Sequence, residues 1–342
     1  MGLSVDRFET GDCITSTYGT LIGHLGGQPE IFGAQWGYRR GTVPDAQWPF
    51  ERLDASRRTP CEVIADWYGA SVAWTRHQNW PATWRHVRDV LDAQRPVIVV
   101  ADAFHLPYCW QHGKEHSPHR IVLTGYTDER VEVSDGYRGS LFHGRLDLDD
   151  LVPAVTSAGL IRPRRLNVDG RNTTITVPGS LRGVAATHEL AREVLVHNVG
   201  RYLAGEPAGV DLLLECAAAI GDDATELAAV PAASISEVSA WFGGMASQRS
   251  LNARFLRWSA GLLDLPGLEA CADQAMLLSR RWEKVRNYMF LRLGPLARAG
   301  AVEGGAAVRR IAELVQGAAR DEAAWCRAVS DELAAQHGVR AV

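Results

Sequence analysis

Three side chains able to pass one proton among themselves stand in order along the chain: Cys13, His119 and Asp135. Cys13 lies at the start of DCITSTYGTLIGHLGG. In this stretch Ile14, Tyr18, Leu21, Ile22 and Leu25 follow the spacing of one helical face. Asp12 or Thr10 can cap such a helix, and Gly26-Gly27 can end it. Cys13 then sits in the first turn. There the backbone N–H groups lack intrahelical partners and the helix dipole favours an anion, here a thiolate.

A nucleophilic thiol needs a base, and the base needs a group to orient it. The stretch HRIVLTGYTDERVEVSDGYRGSLFHG supplies both. Its alternation predicts a hairpin with Thr127-Asp128-Glu129 at the turn, Ile121 and Leu123 on one arm and Val131 and Val133 on the other. In that register positions 121 and 135 face each other. His119 becomes the diagonal neighbour of Asp135 on the same face, about 7–8 Å away between backbones, a gap two side chains can close.

The elements around these residues predict two domains of different character. Residues 1–165 mix helix and strand: CEVIADWYGASVAW and WPATWRHVRDVLDAQ read as helices, RPVIVVADAF as a buried strand and RLDLDDLVPAV as a closing segment or short helix. The polar, Gly- and Pro-containing stretch at 163–183 reads as a connection. Residues 180–342 carry helical spacing with alanine-rich faces. The expected architecture is an α+β domain followed by an all-α domain.

Composition narrows the function. Hydrophobic residues at 46% and charged residues at 22% describe a globular protein with ample core. A net charge of −4, with scattered arginines and only two lysines, Lys114 and Lys284, argues against a nucleic-acid binder. The opening MGLSVDRFETGD has no apolar leader, and no stretch of about 18 uncharged apolar residues occurs. A cytoplasmic protein without a membrane partner is expected. The six cysteines form no CxxC pair and are expected as reduced thiols.

The stretches DCITSTYGTLIGHLG, PEIFGAQWG, RPVIVVADAFHLPY and HSPHRIVLTGYTDERVEVSDGY together resemble the butirosin biosynthesis protein H family, a family of papain-like cysteine acyltransferases. SQRSLNARFL and RRWEKV are similar to the helical domain that often accompanies it. The resemblance implies a papain-like fold. It also implies transfer of an acyl or aminoacyl group from an acyl or peptidyl carrier protein to a small-molecule amine. Cys13 would be the nucleophile, His119 the base and acid, and Asp135 the orienter. No cofactor is implied beyond the phosphopantetheine arm of the carrier. The Cys13 N–H is the expected oxyanion donor. Papain-type enzymes add a glutamine several residues before the cysteine. This chain has none there, and Thr10 or a backbone amide would have to replace it.

Other residues enter as substrate contacts. Tyr108 and Asp102 flank the loop before His119 and could position the amine; Glu30, Gln35 and Trp36 could line an acyl pocket. Arg254, Arg280 and Arg281 could meet an acidic carrier, whereas Trp241, Trp258 and Trp282 read as core aromatics. The loop HLPYCWQHGKEHSPH places His105, Cys109, His112, His116 and His119 within fifteen residues, yet the spacing Cys-x2-His-x3-His-x2-His is no standard zinc pattern, and no metal is expected. A homodimer through the alanine-rich helices is possible. Two other functions fit the same residues: a cysteine hydrolase (thioesterase or peptidase) with water as acceptor, and a non-catalytic binding module.

Overall fold

A computed structural model describes residues 3–36, 38–40, 53–55, 58–162, 168–181, 188–203, 209–222, 232–293, 295 and 305–335. The chain forms two units, Met1–Phe32 with Thr59–Ala186, and Gly33–Arg58 with Thr187–Val342. The first combines helices with an antiparallel sheet, and the described secondary structure of the second is helical apart from one short strand pair.

In the first unit α1 spans Cys13–His24, with Asp12 as N-cap accepting from the Thr15 N–H at 2.7 Å. Its burial corrects the expected single apolar face. Ser16 through Ile22 are all buried, while Ile14 is exposed. Small side chains allow this. A Cβ on Gly19 would lie 2.2 Å from the Phe8 ring, so glycine is what admits that ring.

The next helix, α2 (Pro60–Tyr68), starts with a Thr59/Glu62 capping box. It is shorter than expected. Gly69 closes it at φ 62°, and β3 (Ala73–Arg76) follows where the sequence suggested continued helix. After α3 (Trp80–Asp92) come β4 (Val97–Asp102), β5 (Pro118–Tyr126), β6 (Arg130–Asp135), β7 (Phe142–Asp147) and α4 (Leu148–Thr156). The short pair β8 (Ile161–Arg162) and β9 (Val168–Asp169) precedes β10 (Thr173–Thr176). The main sheet has the order β3-β10-β4-β5-β6-β7, with every neighbouring pair antiparallel.

Two findings amend the sequence reading. Residues 173–176, expected within a connection, are a strand between β3 and β4, while 163–167 and 182–187 lie outside the described residues. The β5–β6 hairpin has the expected register at its far end, Val122 opposite Ser134, but a bulge between Leu123 and Gly125 shifts pairing by one toward the turn. One face of the sheet is filled by Val97, Val99, Ile121, Leu123, Val131 and Val133, packed with residues of α3 and α4.

In the second unit, β1 (Tyr38–Arg40) pairs with β2 (Leu53–Ala55). The helices are α5 (His188–Leu203), α6 (Val210–Asp222), α7 (Ala232–Leu263), α8 (Gly267–Tyr288) and α9 (Gly305–Ala335). Their core holds a buried ion pair. Arg249 makes a bidentate contact with Glu322, 2.7 and 2.8 Å, and also donates to Asn252 at 2.8 Å. Trp282 donates to Glu322 at 2.7 Å, and the Tyr202 hydroxyl also donates to it. Asn252 in turn donates to the Gly33 and Gln35 carbonyls, fastening residues 33–35 into this unit. Burial alone would push the Glu322 carboxyl up; the Arg249 charge and these hydrogen bonds hold it below its ordinary value. Among the described residues no helix is long and apolar enough to cross a membrane.

Candidate active site

Local chain geometry delivers Cys13 and Asp135 to one place. Thr10 and Tyr137 form a parallel bridge: the Thr10 N–H donates to the Gly136 carbonyl at 3.0 Å, and the Arg138 N–H to the Thr10 carbonyl at 2.9 Å. This ties the residue three before Cys13 to the residue two after Asp135. Gly136 is required for the approach, because a Cβ there would lie 2.3 Å from the Phe8 carbonyl oxygen. The start of α1 is thereby fixed against the end of β6.

His119 enters from β5. Its Nε2 lies 2.6 Å from Asp135 Oδ2, with both side chains buried. Asp135 is held in turn. Its Oδ1 accepts from the Tyr137 N–H at 2.9 Å, and its Oδ2 accepts from the Ser140 hydroxyl at 3.3 Å. The Tyr137 ring flanks the imidazole at 5.7 Å between centroids. Burial alone would lower the proton affinity of His119. Hydrogen bonding to Asp135 and to the Cys13 thiol outweighs it, with their charges adding, and the pKa is pushed up to about 9. The imidazole thus stands between Asp135 and Cys13 with its hold on a proton strengthened.

The sign of that shift makes a prediction. His119 is raised above its unfolded value of about 6.5, so its contribution to stability is complete below about pH 6.5 and is lost as pH rises through about 9. His119→Gln is expected to lower the thermal midpoint most at pH 6, with the gap from wild type narrowing by pH 9.5. A gap that stays constant over this range would exclude a raised His119.

The first turn of α1 provides donors. Cys13 and Ile14 open the helix, where backbone N–H groups have no intrahelical partner. Thr10 is not available for that purpose. Its hydroxyl donates to the Asp12 carbonyl at 2.7 Å, so its proton is already committed. Cys109, the other cysteine near this place, is a poor competitor as a nucleophile. Burial, with Asp135 and Cys13 nearby, pushes its thiol up to about 12.

Residues 12–136 match the family described as butirosin biosynthesis protein H, N-terminal. This part of the chain is similar to the N-terminal domain of that family. No curated protein matches the chain. The matched segment of the butirosin H-type domain runs from the residue before Cys13 to the residue after Asp135, so all three side chains lie within it.

The remaining expected contacts divide. Tyr108 belongs to the site. Its ring stacks on Phe142 at 4.2 Å and 5°, and its buried hydroxyl faces Asp135. Burial, then the Asp135 charge, pushes that hydroxyl's pKa well up. Asp102 leaves the sheet elsewhere. It pairs with Pro118, whereas His119 pairs with Ala101, so Asp102 and His119 point from opposite faces. Its oxygens accept from His116 Nδ1 (2.7 Å), the Ser157 hydroxyl (2.5 Å) and the Phe104 and Ser117 N–H groups (3.2 and 3.0 Å), leaving no lone pair for a substrate amine. Burial would raise the Asp102 carboxyl; these bonds leave it below its ordinary value.

Glu30 is half-buried in the 3-10 turn Pro29–Gly33, near Tyr68. Gln35 and Trp36 belong to the second unit. There Gln35 exchanges hydrogen bonds with the Arg58 backbone, and buried Trp36 packs on Trp325 at 4.5 Å. Of the proposed carrier contacts, Arg280 and Arg281 are exposed, with Arg281 paired to Asp321, and Arg254 is half-buried. Trp282 is core, as expected. Gly136, Tyr137 and Ser140 were not singled out from sequence, although Gly136 and Tyr137 follow directly on the aspartate.

Proposed function

We propose that the chain is a cysteine acyltransferase with a papain-like first domain. It would move an acyl or aminoacyl group from a carrier-protein thioester to a small-molecule amine, forming an amide in natural-product biosynthesis of the butirosin type. The observation that supports this best is the side-chain series at the start of α1: the Cys13 thiol against His119, and His119 bonded at 2.6 Å to buried Asp135. The family description adds a biosynthetic setting.

In this reading the proton of Cys13 resides on His119, and Cys13 attacks the thioester carbonyl as the thiolate. The new S–C bond forms, the carrier's C–S bond breaks, and the leaving thiol takes its proton from the His119 imidazolium. His119, now neutral, accepts a proton from the amine as nitrogen attacks the acyl-Cys13 carbonyl. The C–S bond breaks, Cys13 leaves as thiolate and His119 is again charged. Asp135 keeps one imidazole nitrogen engaged so that the other faces sulfur. The Cys13 N–H is placed to stabilise the oxyanion in both halves. Tyr108 and Glu30 remain proposed substrate contacts, and the phosphopantetheine arm comes with the carrier.

The alternative acceptor is water. Purified protein given an acylated carrier protein, with and without a panel of primary amines, separates the two. The proposal expects amide to dominate over free acid with at least one amine. Free acid alone, whatever the amine, would make the protein a thioesterase.

A further inference from the structure

A second cluster gathers around Asp102, which points from the sheet face opposite His119. Asp102 ends β4, His105 lies in the 3-10 turn Ala103–His105, and His116 sits two residues before β5. One ligand atom from each lies within 4.8 Å of the other two. Among the described residues the His105 ring nitrogens have no hydrogen-bond partner, while its ring packs edge-on against Phe104. Asp102 is fully buried, His105 half-buried and His116 exposed, so the cluster is anchored on one side and open on the other. Phe104 stacks on His116 at 4.3 Å and 20° and sets that ring's plane. Glycine at 159 keeps the place clear, since a Cβ there would lie 2.4 Å from Asp102 Oδ2 and 2.6 Å from His116 Nδ1.

We propose that Asp102, His105 and His116 form a binding site for a divalent first-row transition cation, which fastens the loop between β4 and β5. Two imidazoles and one carboxylate are a donor set suited to zinc or iron(II), with the remaining positions left to water. The cation takes the lone pair of Asp102 Oδ2 that now faces His116 Nδ1, and the proton between them leaves to solvent. The Ser157 hydroxyl and two backbone N–H groups stay on the carboxylate and orient it, as outer-shell partners do. The loop so fastened leads within three residues to His119. The site does not depend on the acyl-transfer reading.

The site differs from the Cys109, His112, His116 and His119 spacing weighed from sequence. His119 is engaged by Asp135, and Cys109 is held near Ser140 and Asp135.

The test uses metal-stripped, tag-free full-length chain, titrated with zinc against a chromophoric chelator. One zinc per chain is expected, with a rise in thermal midpoint. His105→Ala and His116→Ala, chosen because neither ring is buried, are each expected to weaken binding by about a hundredfold or more. Cys13→Ala is expected to bind as wild type, and cobalt is expected to give a spectrum without sulfur-to-metal charge transfer. Absence of stoichiometric binding overturns the proposal. So does binding that survives the His105→Ala/His116→Ala double variant, or that disappears with Cys13→Ala.

Discussion

Cys13→Ala is expected to lower turnover of an acyl thioester by about four orders of magnitude or more while leaving the fold intact. The size follows from the role. Without sulfur there is no acyl intermediate, and only bound substrate near the α1 amides remains to help the reaction. In serine enzymes, removing one member of the nucleophile–base unit costs nearly as much as removing all of it. The fold should hold because Cys13 is partly exposed and its side chain is not part of the core. His119→Ala should cost a comparable amount, and combining the two should add little, because the pair acts as one unit. Steady-state rates on one thioester for the two single variants and the double variant check this. Loss by simple multiplication would mean that sulfur and imidazole act separately.

The largest expected effect on stability lies in the other unit. Glu322→Ala removes the partner of a guanidinium that is only 1% exposed. Arg249 would then be a buried charge without a carboxylate, and Trp282 and Tyr202 would lose an acceptor. Breaking a buried pair in this way costs about 3–5 kcal/mol. Replacing both charges by apolar groups, Arg249→Met with Glu322→Leu, should be much less harmful than the sum of the single changes, since no charge is stranded. Urea unfolding of the three variants measures it. A Glu322→Ala loss below about 1 kcal/mol would mean the pair is not buried in solution.

What could be read in the sequence was what local pattern dictates. The start of α1 was legible because an Asx cap, a periodic apolar series and a Gly-Gly end coincide. The placement of His119 beside Asp135 was legible because strand alternation has period two, and the bulge lies between the site and the turn, where it does not disturb their pairing. Other features depend on distant chain. β10 reads as TTIT, polar by composition, and becomes a buried strand only because β3 and β4 stand on either side. Trp36 and Gln35 look like loop residues after a helix; their partners Trp325 and Arg58 are remote in sequence. Asp102 was expected to position a substrate amine, but its oxygens are taken by partners such as His116 and Ser157, which come from separate segments. The tie from Thr10 to Tyr137 is a backbone contact, which side-chain patterns do not encode.

The central claim is that Cys13 carries the acyl group. Intact mass of the full-length protein after brief exposure to an acylated carrier protein, with no amine present, tests it most directly. Wild type is expected to gain the mass of one acyl group, mapped to Cys13 by peptide analysis, and Cys13→Ala to gain none. An adduct that persists in Cys13→Ala, or that maps to Cys109, would contradict the account.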